Sequence, residues 1–197
     1  TYLIASTKVA TQFKGQINDN AFSTQLFNVQ HVQSLSWAKS KFIIGASVDN
    51  SPQNYFAKYI AITKDLTLNK YTSYVAPSPD SLLRKYKTNI QNTATYIDYE
   101  FSPINRLRVV LAYRADFYTY DFVNQLVPSS STGAPNTKTN FQKTAPKLGV
   151  TYNLDRLGFY GNYAEGFVPP QITELYNTSS VPYLLPQEFK SKEKGGW

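Results

Sequence analysis

The sequence predicts an all-β fold, a transmembrane antiparallel β-barrel of which about eight strands are present. Three observations predict it. Apolar and polar residues alternate with a period of two over long runs, which sorts the side chains onto two faces of a strand. Most runs are about 11 to 16 residues long, beyond the five or six usual in soluble sheets. Short and long connections alternate between the runs, as on the two rims of a membrane barrel.

The clearest alternation lies in a predicted hairpin over residues 88–122. In its second strand the odd positions are apolar up to Thr119, and the charged residues occupy even positions. The apolar row consists of Leu107, Val109, Leu111, Tyr113, Ala115 and Phe117. In the first strand, Ile97, Tyr99 and Phe101 alternate with Tyr96, Asp98 and Glu100. A short turn containing Pro103 joins the two strands, so the hairpin has one apolar and one charged face.

Three runs precede the hairpin, at residues 2–14, 22–37 and 41–49. The first is predicted to end at a polar patch over residues 15–20. The second is the least regular, because His31 and Gln33 share a face with Phe27 and Val29, and a β-bulge there would reset the register. Residues 38–40 are predicted to form a short turn before the third run.

The remaining chain contains three long connections. Residues 51–87 are predicted to be largely irregular, because they hold three prolines and many lysines and tyrosines, although residues 54–62 could extend a strand beyond a membrane surface. A second loop, residues 123–140, is rich in Ser, Thr, Pro and Gly. Strands at 141–154 and 157–167 follow, joined by a tight turn at Asp155-Arg156. A third loop covers residues 168–188, and the last residues begin a further strand.

The lengths of the connections favour a membrane barrel over a soluble sandwich. Those after the second, fourth and sixth strands are about two to four residues, and those after the third, fifth and seventh about 20 to 35. Long loops are uncommon in compact soluble domains. In lipid every backbone polar group must pair within the sheet, so such a sheet must close on itself.

The composition limits the kinds of site that the chain can form. It contains no cysteine, which excludes a disulfide framework and a thiolate metal site. Its one histidine, His31, excludes a histidine dyad, and we interpret it as a neutral strand residue. No glycine-rich phosphate loop or serine nucleophile motif is present. We therefore expect no enzyme activity, no catalytic residue, no metal site and no cofactor.

Charge and chain ends add two further expectations. The net charge of +7 could attract anionic lipid, an acidic ligand or nucleic acid. No apolar run reaches the roughly 18 residues of a membrane helix. The chain starts at Thr1 without a methionine and ends at Trp197, so we interpret it as an excerpt of a longer protein.

The last third of the chain carries a family resemblance. The segments APKLGVTY at 145–152, YGNYAEGFVPP at 160–170 and TELY at 173–176 resemble parts of TonB-dependent outer-membrane receptors. Leu185-Pro186-Gln187-Glu188, followed by Glu193-Lys194-Gly195, is similar to the family's Leu-x-Pro-Glu…Glu-x-Gly motif, except that the proline directly follows the leucine. These motifs fall in the later barrel strands of the family, and earlier hairpins agree only in style.

The resemblance implies a receptor of the siderophore-receptor type in the bacterial outer membrane. Such a receptor has a 22-stranded barrel with an N-terminal plug, and it takes up an iron-siderophore complex or a similar scarce nutrient by energy-coupled transport. A TonB-type energy-coupling protein would bind through an N-terminal segment that these residues lack. Residues 1–197 would then be part of one barrel domain, without the plug and with no nucleic-acid partner.

Charged residues of the hairpin are predicted to pair inside the barrel. Asp98 and Glu100 face Arg106 and Arg108 across the turn, and Arg114 and Asp116 form a second pair. Paired carboxylates could also serve acid–base chemistry or hold calcium. Structural ion pairs in the wet lumen explain the alternation more simply, because opposite charges at facing positions stabilise a sheet by about 0.2–1 kcal/mol.

The predicted ligand residues lie near the long loops. If those loops are extracellular, Tyr118 and Tyr120 lie near the top of one strand, and Arg84, Lys85 and Lys87 lie where the largest loop returns. Aromatic rings and cations suit an anionic, partly planar ferric chelate. The alternative is that the tyrosines form an interfacial girdle and the lysines contact lipid phosphates.

Two other functions remain open from the residues alone. A self-contained eight-stranded outer-membrane barrel with a structural or adhesive role fits the strand count, because eight is an even number suited to closure. A soluble β-sheet domain that binds carbohydrate or nucleic acid fits the tyrosines and the positive charge. The ligand, the oligomeric state and any accessory partner are not specified by the sequence.

Overall fold

One antiparallel β-sheet contains most of the described residues in a computed structural model that describes residues 7–9, 12–65, 67–75 and 81–197. Its strands are β1 (Thr7–Val9), β2 (Gln12–Phe22), β3 (Gln25–Leu35), β4 (Ser40–Asp65), β5 (Lys70–Val75), β6 (Leu82–Ile104), β7 (Leu107–Asn124), β8 (Thr137–Leu154), β9 (Leu157–Val168) and β10 (Gln187–Gly196). A single helix of these ranges, α1 (Ile172–Tyr176), lies between β9 and β10.

The strands follow the order β1-β2-β4-β6-β7-β8-β9-β10, which gives eight positions across the sheet. The two remaining strands, β3 and β5, both pair with β4. β2 and β3 lie end to end along one edge of β4, and β6 and β5 lie along the other edge. Within the described ranges β1 and β10 are the outermost strands of this path, so the sheet is an open part of a barrel. The predicted all-β, antiparallel, partial barrel is therefore confirmed.

Several predicted strand bounds were wrong because strands continue beyond the alternating runs. β4 runs unbroken to Asp65 and β6 begins at Leu82, so most of residues 51–87 is strand rather than irregular loop. Residues 15–20 lie inside β2, and the interruption falls at 23–24, where the Ser23 N–H donates to the Pro52 carbonyl at 3.2 Å. Residues 1–6, at the start of the first predicted run, lie outside the described residues.

The expected bulge at His31 is also absent from β3. Its pairing with β4 is regular from Gln25 to Leu35, with His31 opposite Ile44 and Gln33 opposite Phe42. His31 and Gln33 therefore do share the face of Phe27 and Val29. Polar residues interrupt the apolar row without changing the register.

The two rims of the sheet differ in the way the sequence predicts. On one rim β3 and β4 are joined by a 3₁₀ turn (Trp37–Lys39), and residues 105–106 and 155–156 join the next two hairpins. On the opposite rim the connections are residues 66–81, which include β5, 125–136 and 169–186. These connections are shorter than expected, because the strands themselves extend into the predicted loops.

The sheet has one apolar and one polar face. We call the face that carries Leu111 and Phe117 the apolar face, and the face that carries Arg114 and Asp116 the polar face. Large apolar side chains on the first are 37–48% exposed on strands β4, β6, β7 and β8, including Ile44, Ile97, Leu111, Phe117 and Val150. No second layer of the described residues covers them, as expected for a surface that contacts lipid.

The apolar face has the height of a membrane. Between Leu107 and Phe117 the odd positions of β7 are apolar, which is about 33 Å along a strand and about 25 Å at a tilt of about 40°. We call this stretch the apolar band. Aromatic rings gather at its short-turn end, where Trp37 stacks on Phe101 at 6.5 Å between ring centroids and Tyr99 stacks on Phe101 at 5.0 Å. No helix of the described ranges is long and apolar enough to cross a membrane.

Candidate functional site

The polar face holds a wide cleft. The cleft has a volume of about 680 Å³ and reaches from β3 to β9, at the level of Arg114 and Lys147. Its lining includes the acidic side chains of Asp49, Asp98 and Glu165 and the basic side chains of Arg114 and Lys147. A cleft of this kind can hold polar or charged groups, in contrast to the apolar face behind it.

Ion pairs on the polar face follow the predicted pattern in part. Arg108 donates from Nε and a terminal nitrogen to the two carboxylate oxygens of Glu100, both at 2.7 Å. Arg106 instead pairs with Asp155 at 3.1 Å, in the neighbouring short turn. The structure does not bring Asp98 together with Arg106, because the hairpin register sets Asp98 opposite Ala112.

The second predicted pair contains a buried carboxylate, that of Asp116. The Asp116 side chain is 3% exposed, and Arg114 donates two hydrogen bonds to it at 2.8 Å. A third donor is the Asn92 amide, at 3.0 Å. The Asn92 Oδ1 atom is buried without a hydrogen-bond partner in the described part of the chain. Three hydrogen bonds therefore fix the Asp116 carboxylate on the polar face of the sheet.

Above the apolar band, aromatic side chains cover the polar face. Tyr86, Tyr120, Phe122, Phe141 and Tyr176 form a buried cluster together with Leu175 and Ala134. Phe122 stacks on Tyr176 at 4.3 Å with 16° between the ring planes, and Tyr120 meets Phe141 edge to face at 5.4 Å. We call this group the aromatic cluster. It belongs to the long-loop rim, since its members lie at the ends of β6, β7 and β8 and on α1.

Two long connections fold over the aromatic cluster, and we call residues 125–136 and 169–176 the loop cap. The two parts are joined by the Ala134 N–H, which donates to the Tyr176 carbonyl at 3.0 Å. Gly133 has a φ of +106° and lies so close that an added Cβ would be 2.7 Å from the Tyr176 carbonyl oxygen. Only glycine suits that conformation and that approach.

Asn124, at the end of β7, organises the first part of the loop cap. Its side-chain amide donates to the Ala134 carbonyl at 2.8 Å, and its Oδ1 accepts from the Leu126 N–H at 3.0 Å. Its backbone N–H donates to Asn136 Oδ1 at 2.8 Å. One residue thus satisfies the polar groups of a loop that turns inward over an aromatic surface.

The predicted ligand residues do not form one site. Tyr118 is half-buried on the polar face, where it meets Phe167 edge to face at 6.1 Å, whereas Tyr120 is only 4% exposed beneath the loop cap. Arg84 lies at the rim, and its Nε donates to the Ser131 carbonyl at 3.3 Å. Since Tyr118 pairs with Asn92, Arg84 is about 26 Å away from it along the strand.

Lys85 and Lys87 lie on the other side of the sheet. They alternate along β6 with Tyr86 and Thr88, which are buried on the polar face at 6% and 4% exposure. Both lysines are exposed, opposite Phe56 and Asn54 of β4. Their predicted approach to the same ligand as the tyrosines is therefore wrong, because neighbouring residues of a strand point to opposite faces.

Sequence reasoning missed most of the residues that build this rim. Tyr55 and Tyr86 fell within the segment interpreted as irregular, yet they stack on each other at 4.7 Å on adjacent strands. The sequence analysis left residues 54–62 open as a strand extension, and the even spacing of the tyrosines at 55 and 59 favours that interpretation. The loop cap carries no comparable signal, since it depends on contacts between distant segments.

Comparison with known proteins supports the fold. A family model described as "TonB dependent receptor-like, beta-barrel" matches residues 3–195. The solved structure of the unliganded ferric citrate transporter FecA is similar with a TM-score of 0.62 and 14% identity, over 96% of this chain and 26% of that chain. The siderophore receptor PiuA from Acinetobacter baumannii is similar with a TM-score of 0.56 and 14% identity, over 94% of this chain and 30% of that one.

Sequence identity and coverage determine what these matches show. At 14% identity the likeness to the two solved structures concerns the fold. The chain spans less than a third of the length of either of them. No curated protein sequence gives a significant match.

Proposed function

Because the chain belongs to the TonB-dependent receptor β-barrel family, whose barrels lie in the bacterial outer membrane, we propose that it forms part of the wall of a receptor that imports an iron-siderophore complex or a similar scarce nutrient. Members of this family are transporters and not enzymes. The observation that carries the proposal is the family match over residues 3–195. The lipid-sized apolar band is consistent with it.

The proposal assigns the rims and faces of the sheet to two sides of the membrane. The long-loop rim with the loop cap faces outward, as in other outer-membrane barrels. The polar face lines the path of the ligand, and Tyr118 is a half-buried aromatic residue on that face beside the cleft. A TonB-type protein would supply the energy through an N-terminal segment outside these residues. Two solved proteins of similar fold are described as a ferric citrate transporter and a siderophore receptor, which favours a ferric chelate as the ligand.

Uptake of radiolabelled iron tests this function. The intact protein is expressed in a bacterial strain that lacks its own iron receptors, and ferric citrate, a ferric hydroxamate and a ferric catecholate are offered separately. We expect uptake of at least one chelate, which is abolished when the energy-coupling protein is deleted. Failure of all three chelates would overturn the assignment of a ferric chelate as the ligand, and uptake that is independent of energy coupling would overturn the proposed transport function.

A matched pair of variants tests the role of the polar face. Tyr118→Ala removes a half-buried ring beside the cleft, and we expect a lower apparent affinity for the transported chelate. Phe117→Ala is the control, because Phe117 lies on the apolar face of the same strand, is 44% exposed and does not line the cleft. Equal effects of the two substitutions would show that the aromatic side chains act only on the barrel's stability.

A further inference from the structure

A second pocket on the polar face lies higher than the cleft, under the loop cap. It has a volume of about 370 Å³ and lies between the upper ends of β2, β4, β6 and β7 and the loop segment that starts at Pro169. Its volume is within the range of about 300–1,000 Å³ typical of small-molecule sites. We call it the rim pocket.

The floor of the rim pocket is a fixed aromatic surface. Tyr55 stacks on Tyr86 with 4.7 Å between ring centroids and 22° between the planes. Tyr86 is 6% exposed and is itself held against Phe122 at 5.2 Å. Because Tyr86 covers one side of the half-buried Tyr55 ring, Tyr55 is a rigid flat platform on the wall of the pocket. Such a ring can accept the apolar face of a ligand with little loss of conformational entropy.

Uncharged amides stand at the edge of this platform. The Gln53 side chain donates to Asn20 Oδ1 at 2.7 Å, and its own oxygen accepts from the Thr88 hydroxyl at 3.1 Å. These two bonds fix the orientation of Gln53 and use one lone pair of Asn20. An asparagine amide has two N–H donors besides its oxygen, so Asn20 retains donors for a ligand.

The rim pocket carries no ionised group on its lining. All of its lining residues are neutral, and burial raises the pKa of both Tyr86 and Tyr120 to about 12, so these phenols stay protonated at physiological pH. The charge of Arg84 reaches Tyr55 and Tyr86, but its guanidinium is bound to the Ser131 carbonyl and does not line the pocket. An anionic ligand would therefore lose its hydration there without gaining a partner of opposite charge.

We propose that the rim pocket binds a neutral polyhydroxylated ring, such as the pyranose ring of a sugar. A pyranose has an apolar face of C–H groups that suits the ring of Tyr55, and its hydroxyls both donate and accept hydrogen bonds, as the Asn20 and Gln53 amides do. The sugar-like group is either a free carbohydrate or a neutral part of a larger ligand. The inference rests on the proposed function only in that the rim pocket then opens toward the cell exterior.

Calorimetric titration of the intact protein in detergent tests the rim pocket directly. The probes are methyl α-glucopyranoside and its anionic counterpart glucuronate. We expect measurable binding of the glucoside, and binding of glucuronate that is at least about tenfold weaker. Binding of glucuronate as tight as that of the glucoside, or no binding of the glucoside, would overturn the proposal.

Variants separate the platform from general effects on folding. Tyr55→Ala should lower the affinity for the glucoside about tenfold, and Tyr55→Phe should retain most of it because the ring remains. Tyr113→Ala, on the apolar face, should leave the affinity unchanged. Heat-modifiable migration of each variant on a gel establishes that the barrel is folded. Equal losses for Tyr55→Ala and Tyr113→Ala would contradict a binding role for Tyr55.

The sugar titration and the iron-uptake assay test the two proposals independently. Glucoside binding without uptake of any ferric chelate would overturn the iron function and leave the rim pocket. Iron uptake by a protein that does not bind the glucoside would overturn the rim pocket and leave the iron function.

Discussion

The ring of Tyr96 lies across Gly45, its direct partner on the adjacent strand, and fills the space that a side chain at position 45 would occupy. By crossing β4 in this way, the Tyr96 hydroxyl reaches β3, where it donates to Asn28 Oδ1 at 3.0 Å or Gln30 Oε1 at 3.1 Å. One tyrosine thus ties three strands together on the polar face. Glycines facing aromatic residues in a sheet are stabilised by such coverage.

Gly45→Ala should therefore destabilise the barrel. The new methyl group collides with the Tyr96 ring, which must move and release its hydrogen bonds to β3, and overpacking of this kind costs about 1–3 kcal/mol. Urea-dependent unfolding of the intact protein in detergent measures the loss. Gly161→Ala is the control, because a Cβ there would meet only the Glu193 carbonyl oxygen at 4.0 Å. Equal stability of both variants would contradict the packing described for Tyr96.

Two further glycine–aromatic pairs of this kind lie between β9 and β10. Gly166 faces Phe189 and Gly195 faces Tyr160, and in both cases the ring lies where a Cβ would be placed. The recurrence indicates that these glycines make room for aromatic rings rather than mark turns.

Two acidic residues of the polar face should differ strongly in their contribution to stability. Asp116→Ala removes the acceptor of three hydrogen bonds from Arg114 and Asn92 at a buried position, so we expect a loss of about 1–3 kcal/mol. Glu100→Ala removes the partner of Arg108 in a pair in which both side chains are at least 35% exposed, and we expect a change of about 0–1 kcal/mol. Urea unfolding of the two variants compares them, and a larger loss for Glu100→Ala would refute this ranking.

Asn124→Ala should loosen the loop cap and leave the strands intact. The substitution removes the hydrogen bond that the Asn124 side-chain amide donates to the Ala134 carbonyl. It also removes the oxygen that accepts from the Leu126 N–H. Hydrogen exchange followed by mass spectrometry should show faster exchange in residues 125–136, with unchanged protection of β7. Asn89→Ala, at an exposed position of β6, provides the comparison and should not alter exchange in the loop. Unchanged protection of residues 125–136 in Asn124→Ala would count against this role.

Alkaline titration should reveal two of the buried tyrosines above the apolar band, Tyr86 and Tyr120. Burial raises the pKa of Tyr86 and Tyr120 to about 12, from the ordinary value of about 10. Because the folded-state pKa is the higher one, the stability that these neutral phenols contribute is complete below pH 10 and is lost as the pH rises toward 12. Tyrosinate absorbance should show a late phase that disappears in the Tyr86→Phe, Tyr120→Phe double variant. A late phase that persists there would assign it to other tyrosines.

The sequence was most informative where lipid contacts one face only. In β7 the period of two from Leu107 to Phe117 follows directly from that asymmetry, because a shift of one residue would turn every apolar side chain away from the lipid. The Glu100–Arg108 pair could also be anticipated, since both residues flank a short turn on the charged face. In such segments the local pattern and the tertiary environment carry the same information.

Above the apolar band that asymmetry disappears. Beyond Asn50 the residues of β4 no longer alternate by polarity, so this part of the chain was interpreted as largely irregular, with residues 54–62 left open as a strand extension. The face of the sheet on which Arg84 and Lys85 lie depends on where β6 begins. The sequence pattern does not show that residue. Arg106 pairs with Asp155 in a different turn, a contact between neighbouring hairpins that spacing along the chain does not specify.

Lipid exposure of alternate β7 residues tests the central claim most directly. These 197 residues contain no cysteine, so single cysteines can be introduced for spin labelling at Val109, Leu111, Ala112 and Asp116 in the intact protein reconstituted in bilayers. We predict that labels at 109 and 111 collide mainly with oxygen dissolved in the lipid, and that labels at 112 and 116 collide mainly with a water-soluble nickel complex. Water-soluble access at 109 and 111, or protection of these positions from both reagents by protein, would contradict the assignment of this face to the membrane.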